Sequence, residues 1–171
     1  MAAREAFVWN ANVYFDGTQI TTEGGVEFNY TPLTVETQTD ATGGNIYDKF
    51  TNGGNLEVIV HVAEWDLDAF ATVYGAAATQ TGSGSTSKVA INADIGSSYR
   101  SSAASLVVKG IVEGVEDTTE EFWVTVPLAY PEGGPFKSDK GAQFTTAIKF
   151  TGLPDTTASN LLFFFGDTVG S

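Results

Sequence analysis

The chain has 171 residues, no cysteine, and a formal net charge of −13 from 21 Asp and Glu against eight Lys and Arg. The missing thiols exclude disulfides, thiolate catalysis and Cys-based zinc or iron–sulfur sites, and the charge opposes binding to phosphate backbones. Apolar content of 42% with 12% aromatic residues argues against a disordered chain and suffices for one domain, 1–171, with a real core. No apolar run approaches the roughly 20 residues of a bilayer span. The opening MAAREAFVWNANVYFDG carries one Arg and then alternates, so the expectation is a soluble protein made without export and without a membrane anchor. The acidity has two readings: general solubility, and a surface meant not to hold DNA.

Strand signals dominate from the start. Residues 6–15 are aromatic and β-branched and lead into the turn at Asp16-Gly17. Over 26–39, Val26, Phe28 and Tyr30 alternate with Glu27 and Asn29. Pro32 interrupts, and Leu33 and Val35 resume against Thr34 and Glu36. Proline cannot donate to a ladder, so an edge position or a bulge is expected there. Residues 38–55 hold turn formers at both ends around Ile46, Tyr47 and Phe50. They read as a long loop, whose apolar centre either folds back on its own core or reaches into another chain. Residues 55–63 alternate most cleanly. At 66–74 the spacing changes to three and four, closed by Gly75, which predicts the one helix.

Beyond the helix, 76–87 (AAATQTGSGSTS) reads as a flexible loop, and 88–95, 105–112 and 121–130 read as strands. Residues 131–141 form a Pro/Gly turn region. Residues 142–151 place Phe144, Thr146, Ile148 and Phe150 on one face, and 161–165 close the chain as a short apolar run. The fold class is therefore mainly β: an antiparallel sandwich or barrel with one short helix.

Candidate chemistry is sparse. His61, the only histidine, alternates with Val60 and Val62 and points away from them. A lone imidazole without co-ligands or an orienting partner makes a poor catalyst. Glu64, Asp66 and Asp68 surround the helix start, where carboxylates meet unpaired N–H groups, and capping accounts for them. Glu116, Asp117, Glu120 and Glu121 read as a solvated hairpin end, with calcium binding as the alternative. Gly82-Ser83-Gly84 lacks the strand–turn–helix context of a nucleophile elbow, and GGNIYDK and TNGGN lack the terminal Lys-Ser/Thr of a phosphate loop. No catalytic residue, metal or cofactor is expected, and no enzyme.

The order of elements resembles the tail tube (major tail) proteins of long, non-contractile-tailed bacteriophages. The resemblance is carried by GGVEFNYTPLTVETQT (24–39), the segment 40–54, NLEVIVHVAEWDLDAFATVYG (55–75), and AQFTTAIKFTGLPD with LLFFFGD (142–167). It implies a self-assembling virion protein, made in the host cytoplasm, whose hexameric rings pool strands into an inner barrel and stack head to tail around a DNA conduit. The segment 38–55 matches the family's reaching loop, with Ile46, Tyr47 and Phe50 as its inter-subunit anchors. Tape-measure, tail-tip and tail-terminator proteins are the other implied partners. An acidic lumen would let DNA slide, and alternation proposes Glu27, Glu36 and Glu57 to line it, with Glu113 and Glu121 from later strands. The chain stops soon after Phe165-Gly166, so the extra immunoglobulin-like domain of some relatives is not expected.

Two rivals remain. A carbohydrate-binding or adhesive β-sandwich would use Trp9, Trp65 and Trp123 as a stacking platform, although all three lie in strongly apolar or joint positions. Another phage tail or decoration protein would share the assembly logic without polymerising.

Overall fold

The computed structural model describes residues 11–38, 45–62, 67–74, 78–82, 84–91, 98–112, 114–119, 122–134, 136–137 and 145–166. Its strands are β1 (Ala11–Phe15), β2 (Thr18–Ile20), β3 (Thr22–Gln38), β4 (Ile46–Val62), β5 (Ala78–Thr81), β6 (Lys88–Ile91), β7 (Ala104–Val112), β8 (Val115–Glu116), β9 (Val124–Gly133), β10 (Phe136–Lys137), β11 (Thr145–Gly152) and β12 (Phe164–Phe165). The one α-helix among the described residues, α1, spans Leu67–Tyr74, and short 3-10 helices lie at Gly84–Thr86 and Tyr99–Ser102. The main sheet runs β2-β1-β7-β9-β11-β4-β3 with every pair antiparallel.

β1 and β2 form a hairpin because Asp16 and Gly17 both take positive φ, 49° and 75°, the backbone that a two-residue turn between right-twisted strands requires. β9 turns the corner of the fold. Its first half pairs with β7 (Val124 with Val108, Val126 with Leu106), and its second half pairs with β11 (Ala129 with Gly152, Pro131 with Phe150). Between Val126 and Ala129 the partner strand advances by one residue fewer, so Pro127 sits in a bulge, where a missing N–H costs no ladder bond. β12 takes the other side of Val124 and Thr125. At the seam, Thr22 Oγ1 donates to the Ala11 carbonyl at 2.6 Å.

Alternation fills the interior. Leu56, Val58, Val60 and Val62 of β4, Ile148 and Phe150 of β11, Leu106 and Val108 of β7, and Val13 and Phe15 of β1 are all buried. The Phe15 and Phe150 rings meet across the core with centroids 5.2 Å apart. Phe70 and Val73 bury the inner side of α1. Each such Val, Leu or Phe contributes about 1.5–3 kcal/mol by leaving water.

Three segments expected to be irregular are strands. Residues 76–87 were expected to be a loop, yet Ala78–Thr81 pairs with Lys88–Ile91 across a turn in which Gly82 and Gly84 take φ of 84° and 57°. Threonine's branched side chain suits that exposed ladder. The turn region 131–141 is shortened because β9 continues to Gly133 and Phe136–Lys137 pairs with β11. The third segment, 38–55, forms most of an arm described below. The strands expected at 6–15, 88–95 and 121–130 are seen as Ala11–Phe15, Lys88–Ile91 and Val124–Gly133. Of the closing run 161–165 only Phe164–Phe165 is a strand, with Leu161 bridging to Asp155. Residues 1–10, Glu64, Trp65, Asp66, Gly75, Glu113, Glu120, Glu121 and Phe144 lie outside the described residues.

Candidate assembly interface

β3 and β4 are 17 residues each, and only their inner halves have the rest of the sheet beside them. β11 ends its pairing with β4 at Gly152–Leu56. Among the described residues the two strands continue beyond Leu56 as a two-stranded arm, ending where Gln38 pairs with Ile46. The loop expected at 38–55 is therefore a strand from Ile46 onward. Asn52-Gly53-Gly54-Asn55 reads as a second turn, but the ladder absorbs it. Between Pro32 and Thr34 β3 advances two residues while β4 advances three, from Gly54 to Thr51. Gly53 there holds φ of 91°, a left-handed bulge conformation that glycine adopts without strain. The Tyr30 ring lies over Gly54, so close that a Cβ on Gly54 would sit 2.5 Å from it.

The arm's apolar side chains face water. Tyr47 is 69% exposed, Ile46 and Phe50 are 54% exposed, and Val35, paired directly with Phe50, is also open. All three expected anchors thus face solvent and do not pack on the core. Lys49 Nζ meets Glu36 Oε1 at 3.1 Å across the ladder, and the Asp48 carboxylate accepts from the Lys49 backbone N–H at 2.7 Å.

The arm's register also corrects one expectation about Glu36. The extra residue lies on β4, so β3 keeps its alternation through Pro32. Glu27 and Glu57 share the face away from the core, whereas Glu36, opposite Lys49, falls on the other side of the ladder. Along the shared face, His61 Nε2 lies 3.8 Å from Glu27 Oε1. Lys149 Nζ bridges Glu57 (2.7 Å) and Glu132 (3.1 Å), and Thr151 Oγ1 donates to Glu132 at 2.6 Å. The Thr151 hydroxyl first, and the Lys149 ammonium after it, hold the Glu132 carboxyl below the usual range. The two carboxylates, Glu57 foremost, raise Lys149. One ammonium thus ties β4, β11 and β9 together at the register shift between Lys149 and Phe150. Glu113 and Glu121 lie outside the described residues.

The helix start shows Asp68 exposed in the first turn, with its carboxylate accepting a hydrogen bond from Gln80 Nε2. This links α1 to β5. Glu64 and Asp66 lie outside the described residues.

The acidic group at 116–117 is not the solvated hairpin end expected of it. Glu116 is half-buried and accepts from Tyr14 Oη, Asn12 Nδ2 (2.8 Å) and Lys109 Nζ (3.1 Å). Lys109 in turn sits 4.6 Å over the Tyr14 ring and 4.0 Å over Trp123. Burial opposes ionisation of Glu116, and the three donors outweigh it, leaving the carboxyl below its ordinary value. The same hydrogen bond, with burial, raises the Tyr14 phenol. Asp117 is buried; its carboxylate accepts from the Thr119 N–H and its carbonyl from Trp123 Nε1, both at 2.9 Å. Trp123 is therefore fixed beneath Lys109 and does not form an open sugar platform. Trp9 and Trp65 lie outside the described residues.

A feature missed in the sequence is a cavity of about 420 Å³ walled by Tyr74, Ile91, Tyr99, Tyr130, Pro131 and Glu132. Four elements supply its walls, and no local spacing signals it.

No protein-family model matches the chain, and no curated protein matches it. Among solved structures, the chain is similar to one in the cryo-EM structure of an extracellular contractile injection system, the PVC sheath–tube complex in its extended state. The TM-score is 0.48 and the identity 10%, covering 84% of this chain and 84% of that one.

Proposed function

We propose that this chain is a structural subunit that polymerises, with no substrate and no cofactor, as a tail tube protein does. Copies would close into hexameric rings and stack head to tail into a virion tail. The observation that carries the reading is the β3–β4 arm. It presents Val35, Ile46, Tyr47 and Phe50 to solvent beyond the end of the β11–β4 pairing, and apolar side chains left open in this number are stable when a partner buries them. The long outer edge of β3 points the same way, since open edges are hazards that closure across subunits removes. Glu27 and Glu57 would face the lumen. The lysine on their face, Lys149, is already held by Glu57 and Glu132, so phosphates meet a paired cation. Tape-measure, tail-tip and terminator proteins would bound the tube.

The test is electron microscopy of the concentrated protein, with its mass in solution measured in parallel. Tubes or stacked rings of constant diameter are expected. A monomer at every concentration, with and without a tail-tip nucleus, overturns the reading. For the lumen, particles carrying Glu27→Lys with Glu57→Lys should still form tubes but eject DNA more slowly. Unchanged ejection removes these two residues from the conduit.

A further inference from the structure

The bulge at the root of the arm holds a reactive pair of residues that the assembly reading does not use. Asn52 is the only asparagine of the chain followed by glycine. Gly54 pairs with Pro32 and Thr51 with Thr34, so Asn52 and Gly53 stand together opposite Leu33, outside the paired rungs that fix each peptide plane in a regular strand. Both are exposed. A Cβ on Gly53 would meet nothing within 4 Å, so the flank of this peptide is open, and glycine itself puts no side chain in the way. Other asparagines are placed differently. Asn29 pairs with Glu57 and Asn55 with Thr31 in the ladder, and Asn12 Nδ2 donates to Glu116 at 2.8 Å.

We propose that Asn52 is a site of self-modification, at which the Gly53 nitrogen closes on the Asn52 side chain and converts it to aspartate or isoaspartate. The only co-reactant is water. The Gly53 nitrogen attacks Cγ of Asn52, the N–Cγ bond forms, and the Cγ–Nδ2 bond breaks. The proton of that nitrogen leaves with the amide as ammonia, and a succinimide ring remains. Water then opens the ring. Cleavage at Cγ gives aspartate on an unchanged backbone. Cleavage at the main-chain carbonyl gives isoaspartate and routes the chain through Cβ and Cγ. Either product adds a negative charge to a chain already at −13. Isoaspartate also lengthens the main chain of β4 by one atom, at the point where the ladder already carries its extra residue. The rungs from Thr51 to Ile46 lie beyond that point, so they lose register with Thr34–Gln38, while the body on the other side of Leu56 keeps its pairing. The site stands on its own. Only its consequence for assembly, the loss of the arm's apolar surface, rests on the reading above.

The full-length protein is incubated at neutral pH, folded and in guanidinium chloride, and its peptides are mapped by mass spectrometry, with isoaspartyl methyltransferase as the probe for isoaspartate. Conversion at Asn52 is expected several-fold ahead of Asn29 and Asn55. The folded and unfolded chains are expected to convert at similar rates, because the bulge leaves the site open. The amide-to-acid mass gain separates this product from isomerisation at Asp16-Gly17, which releases no ammonia. A folded chain that keeps Asn52 intact while the unfolded one converts overturns the proposal, and so does conversion no faster than at Asn55. Amide exchange on the aged protein is expected to quicken at 46–51 with the body unchanged. Asn52→Gln, whose longer side chain closes the ring poorly, is expected after equal ageing to exchange as fresh protein does. Converted protein with full protection along the arm overturns the loss of register. Each readout is taken on unassembled protein, so its failure is distinct from a failure to form tubes.

Discussion

The inner and outer halves of β3 and β4 are made of similar residues and have opposite fates. In the inner half, Val26 and Phe28 pack on a core in which Leu56, Val58 and Val60 are buried. In the outer half, Val35, Ile46, Tyr47 and Phe50 lie in water. The hydrophobicity is alike, and the neighbourhood differs. β11 flanks β4 only as far as Leu56, and β1 and β7 close the other side of the core. A β-rich sequence therefore announces strands but not which of them will be covered. The cover comes from elements far away in the chain.

That contrast can be broken from the inside first. Phe150→Ala removes the ring that meets Phe15 and should cost about 3–5 kcal/mol in chemical denaturation. A loss below about 1 kcal/mol would place the stability elsewhere.

Next comes the outer network of the body. Glu116→Ala leaves Lys109 without its half-buried carboxylate and should cost about 2 kcal/mol. The pH dependence follows from its direction. Glu116 and Glu132 are both lowered from 4.5 in the fold. Their contribution is therefore complete above that value and is lost as pH falls through the lowered ones. Denaturation midpoints should fall below about pH 4.5, and Glu116→Gln should flatten that limb. An acid limb identical to wild type would remove Glu116 from it.

The arm should respond differently. Gly53→Val forces a branched residue into φ of 91°, at a cost of about 1–2 kcal/mol. Because the bulge lies beyond the core, amide exchange should quicken at 33–38 and 46–51 while the body's amides keep their protection. Equal quickening everywhere would make arm and body one cooperative unit. The smallest effect on the monomer belongs to Tyr47→Ser with Phe50→Ser. The melting free energy should move by less than about 0.5 kcal/mol, while assembly is lost. A large drop in monomer stability would mean that the arm is covered by its own chain.

Much of the body was legible. Val58 to Val62 alternate and are buried as they alternate, Pro32 marks an edge strand with a bulge, and Leu67–Tyr74 has the only helical spacing. The arm was legible as apolar but not as a strand, because Gly53-Gly54 carries the same signal whether it ends a strand or bulges one. The face of Glu36 was lost for the same reason. Which strand holds the extra residue decides the face, and sequence does not show the partner strand. Glu116 read as solvated because its donors Asn12 and Tyr14 lie 104 and 102 residues away. The tyrosine cavity was hidden by the same distance.

Pro32 has one more consequence. Its nitrogen has no hydrogen, and the ladder to β4 needs none there if that nitrogen looks outward. Among the described residues β3 has a single neighbour strand, so with the nitrogen turned outward its outer rail of donors would carry a gap between Thr31 and Leu33. A foreign strand zipping along that rail meets a missing rung after about six residues from Val26 and must stop or slip. Only a partner whose own backbone skips at the same place runs the full length. A single ring atom thus gives a long open strand a check against indiscriminate growth.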